Sequence, residues 1–105
     1  MTARQDFPSK TPDATALLVF DYSSDLGSGE TISSTVVTCS VWSGTDPTPS
    51  SLISGSATTS GALVKQLFTG GLAGVIYFVR VLATTSLGQV LPKAGYLAVV
   101  ATQPG

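Results

Sequence analysis

The sequence predicts an all-β fold, a sandwich of about seven strands. About six or seven segments alternate apolar and polar residues with a period of two, and they are rich in β-branched and aromatic residues. Clusters of Gly, Pro and Ser separate these segments at spacings of roughly 8–14 residues. No long segment carries a convincing helical period of 3.6 residues.

The first half of the chain predicts an arm and two strands. Residues 1–12 are polar and contain two prolines, so we expect an extended arm that is docked by Phe7. In the strand at 14–22, one face carries Leu18, Phe20 and Tyr22, and the other carries Leu17 and Val19. In the strand at 30–42, the better core face carries Thr35, Val37, Cys39 and Val41. The opposite face carries Val36, Thr38, Ser40 and Trp42, although Trp42 could close one end of the sandwich.

The second half predicts the remaining strands. Segment 51–61 is rich in Ser and Gly, which indicates a weak strand or two short edge pieces. Segment 61–68 alternates, with Leu63 and Leu67 near the core and the direction of Lys65 left open. The longest strand, 73–85, carries Val75, Tyr77, Val79 and Val81 on one face and Ile76, Phe78, Arg80 and Leu82 on the other. The last strand is 89–101, where Pro92 and Gly95 mark a bend or bulge.

Charge is scarce along the chain. Charged residues make up 10% of the 105 residues, against about 25% in an average globular chain. A surface so poor in charge suits a protein that packs against copies of itself or against a partner. The net charge is −1 and the five cations are scattered, so we expect no binding to nucleic acid.

Several kinds of chemistry are unsupported by the sequence. The chain has no histidine, which excludes a Ser-His-Asp or Cys-His site within one chain. Its one cysteine, Cys39, allows no intrachain disulfide, and we expect it to be a buried apolar residue. The beginning lacks an apolar signal-peptide core and no stretch reaches 18 apolar residues, so we expect synthesis in a cytoplasm and no membrane span.

Two local clusters have a structural and a ligand-binding interpretation. Asp21, Asp25 and Glu30 lie close in sequence and could gather around a hard cation, but their spacing matches no calcium loop, so a solvated turn is favoured. The glycines of GGLAG lack the Lys-Ser/Thr sequel of a phosphate-binding loop and precede a strand, so we interpret them as a turn. We therefore predict no metal and no cofactor.

One stretch of the sequence resembles a known class of domain. LFTGGLAGVIYFVRVLATTSLGQ, residues 67–89, resembles the E–F corner and F strand of fibronectin-III and immunoglobulin-like domains. The resemblance implies an immunoglobulin-like sandwich over 13–105 behind the arm 1–12. It also implies that Leu67 plugs the core, that Gly70 and Gly71 turn the chain, and that Tyr77 is a corner tyrosine donating its hydroxyl to nearby backbone.

The chain as a whole resembles short immunoglobulin-like bacteriophage virion proteins. The similarity lies in PSKTPDATALLVFDYSSDLGSGETI at 8–32 and GGLAGVIYFVRVLATTSLGQ at 70–89, and the chain departs from the pattern at Leu26, where a tryptophan is expected. The resemblance implies a component of the virion such as a capsid decoration protein or a short fibre. The partner would be the major capsid protein or another virion protein, together with self-association.

The contact surface is predicted from Arg80. An arginine within an apolar strand either points to solvent, with its stem covering apolar surface, or meets an acid of a neighbouring subunit. With Ile76 and Phe78 on the same face, it has the composition of an interface core, unless the arm or a loop covers it. We expect Phe7, Ile76, Phe78 and Arg80 to contact partners.

Three functions are compared. The first is a capsid decoration protein that docks on the head through many small contacts. The alternative is a host- or carbohydrate-binding module of a head or tail fibre, which would use loops 43–50 and 54–60 with Trp42 stacking on a sugar ring. An enzyme is disfavoured, since histidine and paired carboxylates in a plausible cleft are lacking.

Overall fold

The computed structural model describes residues 5–101, and these form an all-β sandwich, as the alternation predicts. The strands are β1 (Gln5–Asp6), β2 (Thr15–Asp21), β3 (Ile32–Ser43), β4 (Ile53–Ser60), β5 (Leu63–Thr69), β6 (Ile76–Thr85) and β7 (Val90–Ala98), and a short 3₁₀ helix covers Pro49–Leu52. The beginning of the predicted arm, residues 1–4, lies outside the described residues. Over residues 5–101, no helix is long and apolar enough to cross a bilayer.

The strands form two sheets. The four-stranded sheet has the order β1-β7-β6-β3, and the three-stranded sheet has the order β2-β5-β4. Neighbours pair antiparallel except for β1 and β7, which are parallel. Consecutive β3 and β4 lie in different sheets, so the connection through Pro49–Leu52 crosses from one sheet to the other.

The core lies between the two sheets and is built from every second residue of the long strands. In β6 the inward side chains Tyr77, Val79 and Val81 are fully buried, and in β2 so is Phe20. Burying each large apolar side chain stabilises the fold by roughly 1.5–3 kcal/mol. The alternation within β2, β3 and β6 therefore assigned their inner faces correctly.

For β5 the wrong face was assigned to the core from the sequence. Val64, Gln66 and Phe68 face the core, whereas Leu67 is 44% exposed, so the expectation that Leu67 plugs the core is wrong. Apolar residues occupy both faces of this strand, and the pattern alone could not decide between them. The buried Gln66 is satisfied because its Nε2 donates to the carbonyl oxygens of Ser54, Gly55 and Leu67.

Near the C-terminal end of β3, the side chain that enters the core is Leu52 and not Trp42. Leu52 is fully buried, while Trp42 is 58% exposed and packs its ring on Tyr96. A register irregularity between Val41 and Ser43 accompanies this outward position of Trp42. The short 3₁₀ helix that ends at Leu52 places that side chain in the core.

Candidate interaction surface

The outer face of the four-stranded sheet carries apolar and aromatic side chains beside Arg80 and the small polar residues of β3. Cross-strand register sets side chains of three strands in rows, and the row of Phe78 has Ser40 on one side and Tyr96 on the other. The next outward row on β6 is Arg80 between Thr38 and Ala94. We define the outer face by Val36, Trp42, Ile76, Phe78, Arg80, Leu82, Pro92 and Tyr96.

Three aromatic rings form the centre of this surface. The rings of Trp42 and Tyr96 meet edge to face, with centroids 5.1 Å apart and an interplanar angle of 65°. Phe78, on the strand between those of Trp42 and Tyr96, also contacts Tyr96, with ring centroids 5.5 Å apart. Such geometry is the preferred one for aromatic pairs, so the rings support each other while much of Trp42 stays exposed.

Arg80 is exposed and carries the charge of the outer face. The ion pair found within residues 5–101 joins Lys93 Nζ to Asp25 Oδ2 at 3.0 Å, and Arg80 has no such partner among those residues. Among residues 5–101, its side chain is thus exposed and has no ion-pair partner. Arg80 thus lies exposed on the outer face, and its pairing with an acid of a neighbouring subunit stays a prediction.

The residues expected to contact partners divide into two groups. Ile76, Phe78 and Arg80 lie together on the outer face. Phe7 lies apart from them, since its ring meets the core ring of Phe20 at a centroid distance of 5.3 Å. Tyr96 belongs to the surface and was not singled out from the sequence, although it falls two residues before Ala98 on the outward side of β7.

The corner before β6 is organised by the Tyr77 hydroxyl. Tyr77 is fully buried, and its Oη accepts a hydrogen bond from the Leu72 amide at 2.9 Å and donates one to Asp46 Oδ2 at 2.7 Å. The expected donation to backbone is thus replaced by acceptance from it. Burial, with the Asp46 contact second, raises the pKa of Tyr77 to about 12, and the Tyr77 hydrogen bond lowers the pKa of Asp46.

The two corner glycines differ in their surroundings. Both have positive φ, +72° at Gly70 and +94° at Gly71, which suits glycine. A Cβ at Gly71 would lie 2.9 Å from a methyl of Val99, whereas a Cβ at Gly70 would meet nothing within 4 Å. Gly71 is therefore needed for packing as well as for backbone conformation.

The three carboxylates near the β2–β3 turn do not converge. Glu30 is buried, and it accepts hydrogen bonds from the Gly27 amide, the Thr85 hydroxyl and the Gln89 side chain, which lower its pKa, the Gly27 bond most. Asp25 pairs with Lys93, and Asp21 accepts from the Ser23 amide. In the part of the chain that the structure describes, no group of three such side chains is placed to hold a metal ion.

Comparison with protein families decides the class of protein. The family model described as "Podophage GP4 fiber-tail adaptor protein gp77" matches residues 10–96, which is most of the chain. The chain belongs to this family. Membership in this adaptor family confirms a bacteriophage virion structural protein, located in the virion, and points to a structural and not an enzymatic role.

The same match bears on the two virion roles that the sequence suggested. It does not confirm capsid decoration, which was the first expectation, and it stands closer to the fibre alternative. The family description concerns virion proteins of the fibre and tail, and not the major capsid protein specifically. No curated protein matches the chain.

Proposed function

We propose that this protein is a structural adaptor that joins a fibre to the tail of a podophage. The family match supports this role, and the outer face of the four-stranded sheet is the observation that carries its mechanism. An adaptor has to hold two other proteins without chemistry. A rigid sheet with an apolar, aromatic outer face is suited to that task.

The composition of the outer face favours protein contact. On this face Trp42 and Val36 are each 58% exposed, and Phe78 and Tyr96 are half-buried. Aromatic residues and arginine are enriched at the centres of protein interfaces, and other charged residues are depleted there. Truncation of such an anchor residue costs about 2 kcal/mol or more of binding free energy.

The strand order supports an immunoglobulin-like assignment for this sandwich. With β2, β5 and β4 taken as B, E and D, and β3, β6 and β7 as C, F and G, the neighbours are those of that fold. Tyr77 then lies near the start of strand F with its hydroxyl bonded five residues upstream. In this topology the outer face of the C-F-G sheet points away from the core between the two sheets.

The proposed role is tested by locating the protein in virions. Antibody against this chain, detected by gold labelling in electron micrographs, should mark the junction of fibre and tail. Label over the head would overturn the proposal and favour capsid decoration. A complementary test mixes purified chain with purified fibre and tail proteins from the same phage, where a complex of all three is expected.

Carbohydrate binding is a second role that one observation favours. Trp42 is exposed beside the loop that begins at Gly44, and a free indole face can stack on a sugar ring. Glycan-array binding that is lost in Trp42→Ala would support that role. The absence of array binding, together with fibre binding that depends on Trp42, would support the adaptor.

A further inference from the structure

One open side of the sandwich is closed by the chain's own arm. The Phe7 amide donates to the Tyr96 carbonyl at 3.0 Å, and the Phe7 ring packs on Phe20 between the sheets. Further along, the Lys10 amide donates to the Ala98 carbonyl at 3.1 Å. An extended segment that pairs through its main chain and inserts one apolar side chain therefore seals the gap between β7 and β2.

The opposite side, between β3 and β4, contains a groove with a volume of about 280 Å³. Its lining consists of Thr35, Val37, Ile53, Gly55, Ser56, Ala57 and Gln66. The aliphatic members pack against the core and remain partly exposed, and none of the lining residues is charged. The Gln66 Nε2 group already donates to backbone carbonyls and is not available to a ligand. The groove therefore suits small uncharged side chains.

Of the two strands beside the groove, β3 has the edge that is open to pairing. Its 12 residues include no charged residue and no proline, and its pairing with β6 is irregular only near its two ends and regular from Ser34 to Val41. Natural edge strands are usually protected by charges, prolines or bulges. The edge of β4 has such protection, since its register is interrupted between Ser54 and Thr58 and Gly55 has a φ of +71°.

We propose that an extended, uncharged segment of the fibre protein adds a strand to β3 and places apolar side chains in the groove. The fibre as its source rests on the proposed function, whereas the strand addition rests on the groove and the edge. This is recognition by β-augmentation, in which main-chain hydrogen bonds give affinity and side-chain pockets give specificity.

A second copy of this chain fits the groove less well. Its own arm is already used against its β7. Edge-to-edge pairing of two folded copies along Ser34–Val41 would span only about 27 Å. Such a strip falls short of the roughly 800 Å² per partner in stable interfaces. Such pairing would also leave the groove unfilled. In each copy the inward side chains of β3, Thr35 and Val37, already form a wall of that copy's own groove.

The test uses overlapping 15-residue synthetic peptides that span the phage's own fibre protein, titrated into the full isotope-labelled chain. We expect one uncharged, alternating peptide to shift the amide resonances of Ser34–Val41 and to slow their exchange with solvent. Ala57→Arg should weaken this peptide at least tenfold by filling the groove. Leu17→Lys, on the far sheet, should leave its affinity unchanged.

A second measurement keeps the test valid if Ala57→Arg does not fold. Two versions of the peptide are compared, each with every second backbone amide methylated. The version methylated at the amides that face β3 should not bind, and the version methylated at the other amides should bind normally. The inference is overturned if no fibre peptide binds, if binding shifts the outer face and not β3, or if the chain dimerises through β3. If gold label marks the fibre–tail junction but no fibre peptide binds, only this inference is overturned. If a fibre peptide binds but the label lies elsewhere, only the adaptor role is overturned.

Discussion

The buried hydroxyl of Tyr77 donates a 2.7 Å hydrogen bond to Oδ2 of Asp46, 31 residues earlier in the chain. The Tyr77 hydroxyl oxygen also accepts a hydrogen bond from the Leu72 amide, so one phenol links the loop after β3 to the corner before β6. This contact fixes the end of β6 from which the outer-face residues Ile76 and Phe78 extend.

Tyr77→Phe should lower the free energy of unfolding by about 1–3 kcal/mol, because the Leu72 amide and the Asp46 carboxylate both lose a partner. Chemical denaturation measures this loss. Asp46→Asn provides the matched variant, and the double variant should be less destabilised than the sum of the two singles. Strictly additive effects would show that the contact does not contribute to stability.

Stability should fall as the pH is lowered below about 4.5. Hydrogen bonds lower the pKa of Asp46, Glu30 and Asp21, with the Tyr77 hydroxyl, the Gly27 amide and the Ser23 amide as the respective main causes. The folded pKa values thus lie below the unfolded ones, near 3.8 for Asp and 4.5 for Glu. The stabilising contribution is complete above the unfolded values and is lost as the pH falls through the folded ones.

Thermal denaturation between pH 7 and pH 2 measures this dependence. Glu30→Gln should flatten part of the curve, since it removes one of the three groups. A melting temperature that stays constant down to pH 2 would contradict the hydrogen-bonded arrangement of these carboxylates.

Gly71→Ala should destabilise the fold more than Gly70→Ala. Both substitutions meet the strain of a positive φ, but a Cβ at Gly71 would also lie 2.9 Å from Val99 and 3.2 Å from Leu52. We expect a loss of about 1 kcal/mol at Gly70 and of about 2–3 kcal/mol at Gly71. Equal losses in denaturant titrations would mean that the close approach at Gly71 is relieved without cost.

The sequence predicted the faces of those strands in which apolar residues occupy one side. β6 is such a strand, since Tyr77, Val79 and Val81 alternate with Arg80 and its neighbours. β5 is not, because leucines on its outer side obscured the inward Val64 and Phe68. The buried Gln66 depends on a bulge in a different strand, which no local pattern reveals.

The surface was predicted in part for a similar physical reason. Ile76, Phe78 and Arg80 share one strand, so their common face follows from a period of two. Trp42 and Tyr96 join them only through pairing of β3 and β7 with β6, which is a long-range property. The groove between β3 and β4 likewise depends on which strands become edges.

Trp42→Ala should weaken association with the fibre or tail protein at least tenfold and leave the melting temperature nearly unchanged. The side chain is 58% exposed and packs mainly on Tyr96, so its loss removes contact surface and little core. Leu17→Ala is the matched control, since Leu17 is 54% exposed on the other sheet. Equal weakening by both variants, measured by surface plasmon resonance, would exclude the outer face as the docking surface.

The most direct measurement of the central claim is a cryo-electron microscopy reconstruction of the virion at the fibre–tail junction. We predict this chain at that position, with Trp42, Phe78 and Arg80 buried against a fibre or tail subunit. A reconstruction in which the chain occupies the junction but exposes these three side chains to solvent would contradict the account.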